Sequence, residues 1–327
     1  MTSCDTRDVH ATVEQIKVLE NAGCEIVRVA VPDEEAAAAI REIKKKIHIP
    51  LIADIHFRDD LALMAMNHGA DAIRINPGNI PVDGVNRIVA AAKKNQKAIR
   101  VGVNAGSLEK DIAARHGGPT AGALVESAQR SIHLLEEMGF TNMKLSLKSS
   151  DVSTTIEAYR SISALTDYPL HLGVTEAGTL MRSAIKSAIG IGALLYEGIG
   201  DTIRVSITGD PVQEIDVAYS ILRALNIRNV GPEIISCPTC GRCEIDLVSL
   251  TSVVEHRLRG MKTPLKIALM GCVVNGPGEA QEADIGIAGG KGSGMLFKKG
   301  KVVRKIKEEE FVPVLLEEIR QMTGEKL

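Results

Sequence analysis

The sequence of 327 residues contains no tryptophan, and aromatic residues make up only 2% of it. Proteins hold the bases of single-stranded nucleic acids largely by stacking them on aromatic side chains, so this class of partner is not expected. Basic residues are not in excess either, because 39 Lys and Arg stand against 41 Asp and Glu, for a formal net charge of -2. The composition therefore argues against a nucleic-acid-binding protein.

Long apolar runs are also missing. The longest, from Ala188 to Tyr196, is interrupted by glycines and falls short of the roughly 18 residues that a membrane-spanning helix needs. The segment from Met1 to Asp8 lacks the basic and apolar regions of an export signal. We therefore expect a cytoplasmic protein without a membrane partner, in which the six cysteines do not form disulfides.

What the sequence does contain is a regular alternation of helical and β-branched segments over residues 9–225. Repeated βα units with this spacing predict a (β/α)8 TIM-type barrel, occupying residues 1–225 as the first domain. The predicted strands are Glu25 to Ala30, Pro50 to Ile55, Asp71 to Asn76, Ala98 to Asn104, Asn142 to Lys148, Pro169 to Thr175 and Asp201 to Ile207.

A barrel of this type has eight strands, whereas the first element predicted here is a helix from Val9 to Asn21. Either the first strand is missing from this chain or the barrel is open on one side. We favour the missing strand.

Residues 226–327 have a different pattern, with Cys-rich and then Gly-rich turns, and we expect a small α+β domain there. The segment from Asn226 to Ser236 is predicted to be a linker. The expected elements are a helix from Leu247 to Arg259, strands from Lys266 to Met270 and near Ile285 to Ala288, and a helix from Glu309 to Met322.

Four of the predicted barrel strands carry an arginine inside an apolar run: Arg28, Arg74, Arg100 and Arg204. One such arginine is most often half of a structural ion pair. Four together need an anion, because an unpaired buried guanidinium is costly, and their forked geometry suits phosphate. The strands or their ends also carry His56, Asn104, Lys148 and Ser206. We expect a site for a small, highly anionic ligand such as a diphosphate at the carboxyl ends of the strands.

Two carboxylates lie close to these cations in the predicted fold. Glu176 follows the sixth predicted strand and is a candidate proton donor or acceptor, or else a salt-bridge partner of one arginine. Asp54 has the same two interpretations, and Glu176 is the stronger catalytic candidate.

The most specific pattern is a group of cysteines at Cys237, Cys240 and Cys243, with Cys272 further along. Thiolates two residues apart can grip one metal ion or cluster, and the spacing does not distinguish zinc from iron. The zinc alternative is a zinc-stapled barrel enzyme that acts on a sugar phosphate without redox chemistry. A non-catalytic iron-sulfur electron carrier is disfavoured, since a carrier has no use for four strand arginines.

These motifs together resemble the 4-hydroxy-3-methylbut-2-enyl diphosphate synthase family of the bacterial methylerythritol phosphate pathway, over nearly the whole chain. The segments that carry the resemblance are Asp5-Thr-Arg-Asp8, Arg28-Val-Ala-Val-Pro32, Ala53-Asp-Ile-His-Phe57, Arg74-Ile-Asn-Pro-Gly-Asn79, Val174-Thr-Glu-Ala-Gly178, Ser236-Cys-Pro-Thr-Cys240 and Gly271-Cys-Val-Val-Asn-Gly-Pro-Gly-Glu279.

The resemblance implies a 4Fe-4S cluster held by Cys237, Cys240, Cys272 and Glu279, with electrons from ferredoxin or flavodoxin. It implies reductive ring opening and dehydration of 2-C-methyl-D-erythritol 2,4-cyclodiphosphate. Glu176 and Glu279 would be catalytic. The implied substrate-binding residues are Arg28, His56, Arg74, Arg100, Asn104, Lys148, Arg204 and Ser206. Cys243 is outside the family's ligand set, and the family has a further N-terminal segment that includes the first barrel strand.

A head-to-tail homodimer is also expected. The last barrel strand ends at the catalytic face, and the predicted helix from Pro211 to Leu225 returns the chain to the opposite face. A short linker then makes it difficult for the cluster domain to reach its own barrel, whereas a two-fold pair lets each cluster domain cap the other chain's barrel.

Overall fold

The computed structural model describes residues 1–272 and 281–326. The chain divides into two compact units, Met1–Ile227 and Arg228–Leu327, and each is described by itself.

The first unit alternates helices and strands along its whole length. Its strands are β1 Val27–Ala30, β2 Leu51–Asp54, β3 Ala72–Ile75, β4 Ala98–Asn104, β5 Met143–Lys148, β6 His171–Leu172 and β7 Thr202–Ile203. Its α-helices are α1 Val9–Asn21, α2 Glu34–Lys44, α3 Asp59–Asn67, α4 Val82–Lys94, α5 Lys110–His116, α6 Ala121–Glu137, α7 Val152–Ser163, α8 Leu180–Tyr196 and α9 Pro211–Ala224. Each of the seven predicted strands is present, although β6 and β7 are shorter than predicted.

The strands are parallel and follow one another in chain order. β1 to β5 form one sheet, β6 pairs with β7, and a bridge between Leu145 and Leu170 connects the two. The last helix of the unit packs against the first: α9 contacts α1, and the Tyr219 hydroxyl donates to the Gly23 carbonyl at 2.9 Å. Residues 1–8 form no strand, but the Thr2 backbone N–H donates to the Arg28 carbonyl at 3.1 Å, beside β1.

Alternate residues of each strand have opposite environments. Val27 and Val29 of β1, like Ile73 and Ile75 of β3, are fully buried in the apolar core. Arg28 and Arg74 lie between them on the other face of the same strands. Since successive side chains of a strand point to opposite faces, the inner face receives the charges and the outer face packs against the helices.

The second unit is α+β, as predicted. Its strands are β8 Pro232–Ser236, β9 Leu265–Met270, β10 Ile285–Gly290, β11 Ser293–Lys298 and β12 Lys301–Lys307, and its described α-helices are α10 Leu247–Arg257 and α11 Phe311–Thr323. The sheet order is β12-β11-β10-β9-β8, with β8, β9 and β10 parallel and the last two pairings antiparallel. The buried apolar residues of α10 and α11 belong to one core with residues of the sheet.

Part of the predicted linker is wrong. Residues Pro232–Ser236 form β8 at one edge of the sheet, paired residue by residue with β9. Proline at the first strand position is tolerated there because it removes no ladder hydrogen bond that an interior strand would need. β11 and β12 were not predicted, and in β12 the exposed cations conceal the strand period.

None of the described helices is long and apolar enough to cross a membrane.

Candidate functional site

The strand register places Asp54, Arg74 and Arg100 side by side on three adjacent strands. Asp54 pairs with Arg74, and Arg74 pairs with Arg100. Lys148 pairs with Asn104 one strand further along. The predicted charges therefore occupy one continuous face of the parallel sheet.

Asp54 is the carboxylate that forms ion pairs with Arg28 and Arg74. Its oxygens lie 3.2 Å from Arg74 Nη1 and 3.5 Å from Arg28 Nη1, and 3.6 Å from His56 Nε2. Burial favours a higher pKa for Asp54, but the close contact with His56 and the charges of Arg28 and Arg74 outweigh it and hold the pKa well below its usual range. Of its two predicted roles, the structure places Asp54 in an ion-pair network.

Arg204 has a carboxylate partner of its own on helix α9. Arg204 Nη2 lies 3.3 Å from Glu214 Oε1, and the same oxygen accepts from the Ile207 backbone N–H at 3.1 Å. Only 7% of Glu214 is exposed. The sequence predicts this helix only as a connection; the signal for Glu214 is an acidic residue in the first helical turn, after the Asp210-Pro211 start.

Arg100 and Lys148 have no such partner. In the described part of the chain, neither side chain forms a hydrogen bond or an ion pair, and their exposed fractions are only 4% and 9%. Burial, with the like charges of Arg28 and Arg74, lowers the pKa of Arg100 to about 9. Burial, assisted by the charges of Arg100 and Arg204, also holds the pKa of Lys148 well below its usual value. A buried guanidinium and a buried amine, neither paired with a carboxylate in the described residues, are side chains that a bound anion would satisfy.

Two glycines make room for these cations. A Cβ on Gly102 of β4 would overlap Arg74 Nε and lie 2.8 Å from Nη2. A Cβ on Gly173, just after β6, would lie 2.7 Å from Lys148 Nζ and 2.5 Å from the Arg204 carbonyl oxygen. Real Cβ atoms are not found at such distances, so only glycine leaves room for these basic side chains at the two positions.

The other predicted ligands of the diphosphate lie around this cluster. The Asn104 amide lies 2.9 Å from Arg74 Nη2 and accepts from it when its oxygen is turned toward the guanidinium. His56 is half-exposed at the end of β2, next to Asp54. Ser206 follows β7, two residues after Arg204, and its carbonyl accepts from the Ser183 hydroxyl at 2.7 Å.

Glu176 stands apart from the cations. Its carboxylate is exposed, and no cation of the described residues lies within ion-pair distance of it, so the salt-bridge alternative has no support. Its backbone adopts φ +52°, a left-handed conformation that is uncommon for residues other than glycine. Such backbone conformations concentrate at functional sites.

In the second unit, the cysteines gather at the carboxyl edge of two neighbouring strands. Cys237 follows β8 and Cys272 closely follows β9, and the Gly271 N–H donates to Cys237 Sγ at 3.3 Å. Cys240 is exposed, and Cys243 Sγ instead donates to the Ile245 carbonyl at 3.2 Å. The N–H···S bond and the shared edge fit a thiolate-bound cluster.

The ligand set is not assembled within the described residues. Within residues 1–272 and 281–326, no three His, Cys, Asp or Glu side chains lie close enough together to hold a metal ion. Glu279, the fourth ligand implied by the family resemblance, lies outside the described residues.

Two features together define a class of protein: a parallel α/β barrel with a polycationic inner face, followed by an α+β unit with clustered thiols. The sequence profile named GcpE TIM-barrel domain matches residues 1–219, and that of the GcpE protein C-terminal domain matches residues 233–321. The chain belongs to the GcpE family. The predicted fold class, a TIM-type barrel followed by a small α+β domain, and the predicted family are both confirmed.

Relatives carry one enzyme name. The proteins of Caldanaerobacter subterraneus, Thermodesulfovibrio yellowstonii and Clostridium tetani are each called 4-hydroxy-3-methylbut-2-en-1-yl diphosphate synthase (flavodoxin). The first is 60% identical over 100% of this chain and 92% of its own length. The second is 58% identical over 98% and 92%, and the third is 58% identical over 98% and 93%.

Among solved structures, dihydropteroate synthase from Yersinia pestis shares the fold of part of the chain. The TM-score is 0.50 at 15% identity, covering 67% of this chain and 89% of that one. The likeness concerns the fold alone.

Proposed function

We propose that the chain catalyses the reductive ring opening and dehydration of 2-C-methyl-D-erythritol 2,4-cyclodiphosphate. The substrate takes up two electrons and two protons and yields 4-hydroxy-3-methylbut-2-enyl diphosphate and one water. The observation that carries the proposal is the pair of buried basic side chains, Arg100 and Lys148, which form no ion pair in the described residues and lie among three further arginines. The names of the relatives agree with it.

The pocket residues bind and orient the diphosphate. Arg28, Arg74 and Arg204 supply forked N–H donors that match phosphate oxygens, and Arg100 and Lys148 neutralise its charge. Asn104, His56 and Ser206 complete the proposed set. Five of these side chains, those of Arg28, Arg74, Arg100, Asn104 and Lys148, are held on strands β1, β3, β4 and β5, so they need little reorganisation when the ligand arrives.

Glu176 is the proposed proton-transfer residue. Its carboxyl stands at the loop after β6, outside the ion-pair network, so it is free to exchange a proton with the hydroxyl that leaves as water.

Cys237, Cys240 and Cys272, with Glu279, are the residues proposed to hold a 4Fe-4S cluster. Such a cluster supplies electrons one at a time, and flavodoxin, named in the relatives, is the proposed donor. Glu279 is the proposed exchangeable ligand, since a carboxylate leaves iron more readily than the thiolates do. A cytoplasmic location suits this reduced chemistry.

The test is anaerobic purification followed by metal analysis and turnover with reduced flavodoxin. We expect about four irons per chain, broad visible absorption near ~400 nm and formation of the linear diphosphate. One zinc per chain without that absorption would contradict the cluster and favour the zinc-stapled enzyme.

A head-to-tail homodimer is the proposed assembly. Only residues 225–231 separate the end of α9 from β8, and seven residues span at most about 25 Å. So short a connection makes it difficult for the cluster unit to reach the catalytic face of its own barrel. In addition, Met181, Ile185 and Ile189 of α8 share one helix face and are exposed. An exposed apolar face of this kind is typical of a protein interface.

Complementation tests the assembly. Glu176→Gln removes the proposed proton-transfer group from the barrel, and Cys272→Ala removes a proposed ligand of the cluster. Each homodimer is therefore expected to be inactive. A mixed dimer would contain one intact barrel and one intact cluster, and activity should return. Inactive purified heterodimers would show that each cluster serves its own barrel.

A further inference from the structure

Two buried carboxylates contact three of the four strand arginines, and neither was assigned to the diphosphate set. Asp54 contacts Arg28 and Arg74, and Glu214 contacts Arg204. Their exposed fractions are 4% and 7%. A carboxylate so close to the proposed anion site repels the ligand, so its presence there needs an explanation.

Asp54 fixes two arginines from different strands. It lies on β2, between β1 with Arg28 and β3 with Arg74, and one carboxylate oxygen faces each guanidinium. Arg74 is held from a second side, because its Nη2 donates to the Gly102 carbonyl at 3.3 Å. The side chains of both arginines are therefore restrained before any ligand is bound.

Glu214 fixes Arg204 from a helix. Its Oε1 accepts from Arg204 Nη2 and from the Ile207 N–H in the loop after β7, so the guanidinium is tied to that loop. The carboxylate is itself anchored in the first turn of α9.

The contacts leave donors available. Each of the three arginines engages its carboxylate through an Nη atom, and the Nε atoms of all three are buried without a partner among the described residues. A guanidinium has five N–H groups in a rigid fork, so fixing one edge also fixes the direction of the others.

We propose that Asp54 and Glu214 are positioning residues that hold the guanidinium groups of Arg28, Arg74 and Arg204 in the orientation that receives the diphosphate. The proposal rests on the proposed function, because it concerns the same anion site. Its physical basis is pre-organisation: flexible arginine side chains ordered in advance lose less entropy when the ligand binds.

The alternative is that the two carboxylates only balance charge. The alternatives predict effects of opposite sign when a carboxylate is replaced by its amide. Removing a negative charge from a polycationic pocket should tighten anion binding if charge balance is the only role. If positioning dominates, the same change weakens binding although the pocket becomes more positive.

The experiment is calorimetric titration of the full chain with inorganic diphosphate, comparing wild type, Asp54→Asn and Glu214→Gln. Glu214→Gln keeps an amide oxygen for the Ile207 N–H, so the loop anchor remains. The matched control is Glu20→Gln, a carboxylate that accepts from the His48 and Ile49 N–H groups and faces no strand arginine. Thermal unfolding of each variant is recorded alongside.

We expect both variants to bind diphosphate about tenfold or more weakly than wild type, because a displaced arginine loses its charge-assisted contact with the ligand. Glu20→Gln should bind like wild type. If Asp54→Asn does not fold, Glu214→Gln alone decides the outcome. Unchanged or tighter binding in a folded variant overturns the positioning role and leaves the diphosphate site intact. Wild-type protein that binds no diphosphate overturns the site itself, and the positioning role with it.

Discussion

Arg74 occupies the space that a side chain on Gly102 would take: a Cβ there would overlap Arg74 Nε and lie 2.8 Å from Nη2. The two residues lie on adjacent strands, two positions out of register, on the same face of the sheet. The glycine therefore belongs to the anion site although it donates nothing to a ligand.

Gly102→Ala is accordingly expected to displace Arg74 and weaken diphosphate binding. Because overpacking a buried site costs about 1–3 kcal/mol, the free energy of unfolding should also fall. Denaturant unfolding and diphosphate titration measure the two effects. Gly106→Ala is the control, since nothing lies within 4 Å of a Cβ at that position. Wild-type binding by Gly102→Ala would show that Arg74 is not needed in its present place.

Arg100→Met is expected to stabilise the protein while it impairs function. Arg100 is a buried cation without a described partner, and replacing buried charge by an apolar side chain of similar size gains about 1–4 kcal/mol in favourable cases. Diphosphate affinity should fall at the same time. Arg41→Met, which removes a cation from the exposed surface of α2, is the control and should change neither property. A lower stability of Arg100→Met would mean that the guanidinium is satisfied in the free protein.

Diphosphate binding should take up a proton at Lys148. Burial holds the pKa of this lysine well below its usual value, and the surrounding cations lower it further. The charged groups that contribute are Arg100, Arg204, Arg28 and Arg74. A bound anion raises the pKa again, so affinity should fall as pH rises from the free to the bound pKa.

Calorimetry in buffers of different ionisation enthalpy measures that proton uptake. Lys148→Met serves as the reference, because it keeps the proton exchange of the diphosphate and of the other site residues and removes only that of Lys148. Equal proton uptake by wild type and Lys148→Met would show that Lys148 is already charged in the free protein.

Cys243→Ser should leave the iron content nearly unchanged, whereas Cys237→Ser should lose it. Cys243 Sγ donates a hydrogen bond to the Ile245 carbonyl, whereas Cys237 Sγ accepts one from the Gly271 N–H at the shared strand edge. Glu279→Ala is expected to abolish turnover. Iron analysis and turnover under anaerobic conditions measure these effects, and the reverse pattern would make Cys243 the fourth ligand.

The sequence by itself predicted the seven strands of the first unit, because strand period and helix period are local properties of the chain. It also placed the arginines: a charged residue between two apolar ones in a strand must face away from the apolar layer, as Arg74 does between Ile73 and Ile75. The spacing of Cys237, Cys240 and Cys272, with the surrounding motifs, was enough to identify the family.

Only the tertiary structure decided which cations are paired. Arg204 meets Glu214 from the following helix, and Asp54 meets arginines on both neighbouring strands, whereas Arg100 and Lys148 meet no counter-ion in the described residues. β8 is a similar case, since its role as an edge strand depends on its register with β9. These contacts join residues through crossovers and sheet register, which no local periodicity encodes.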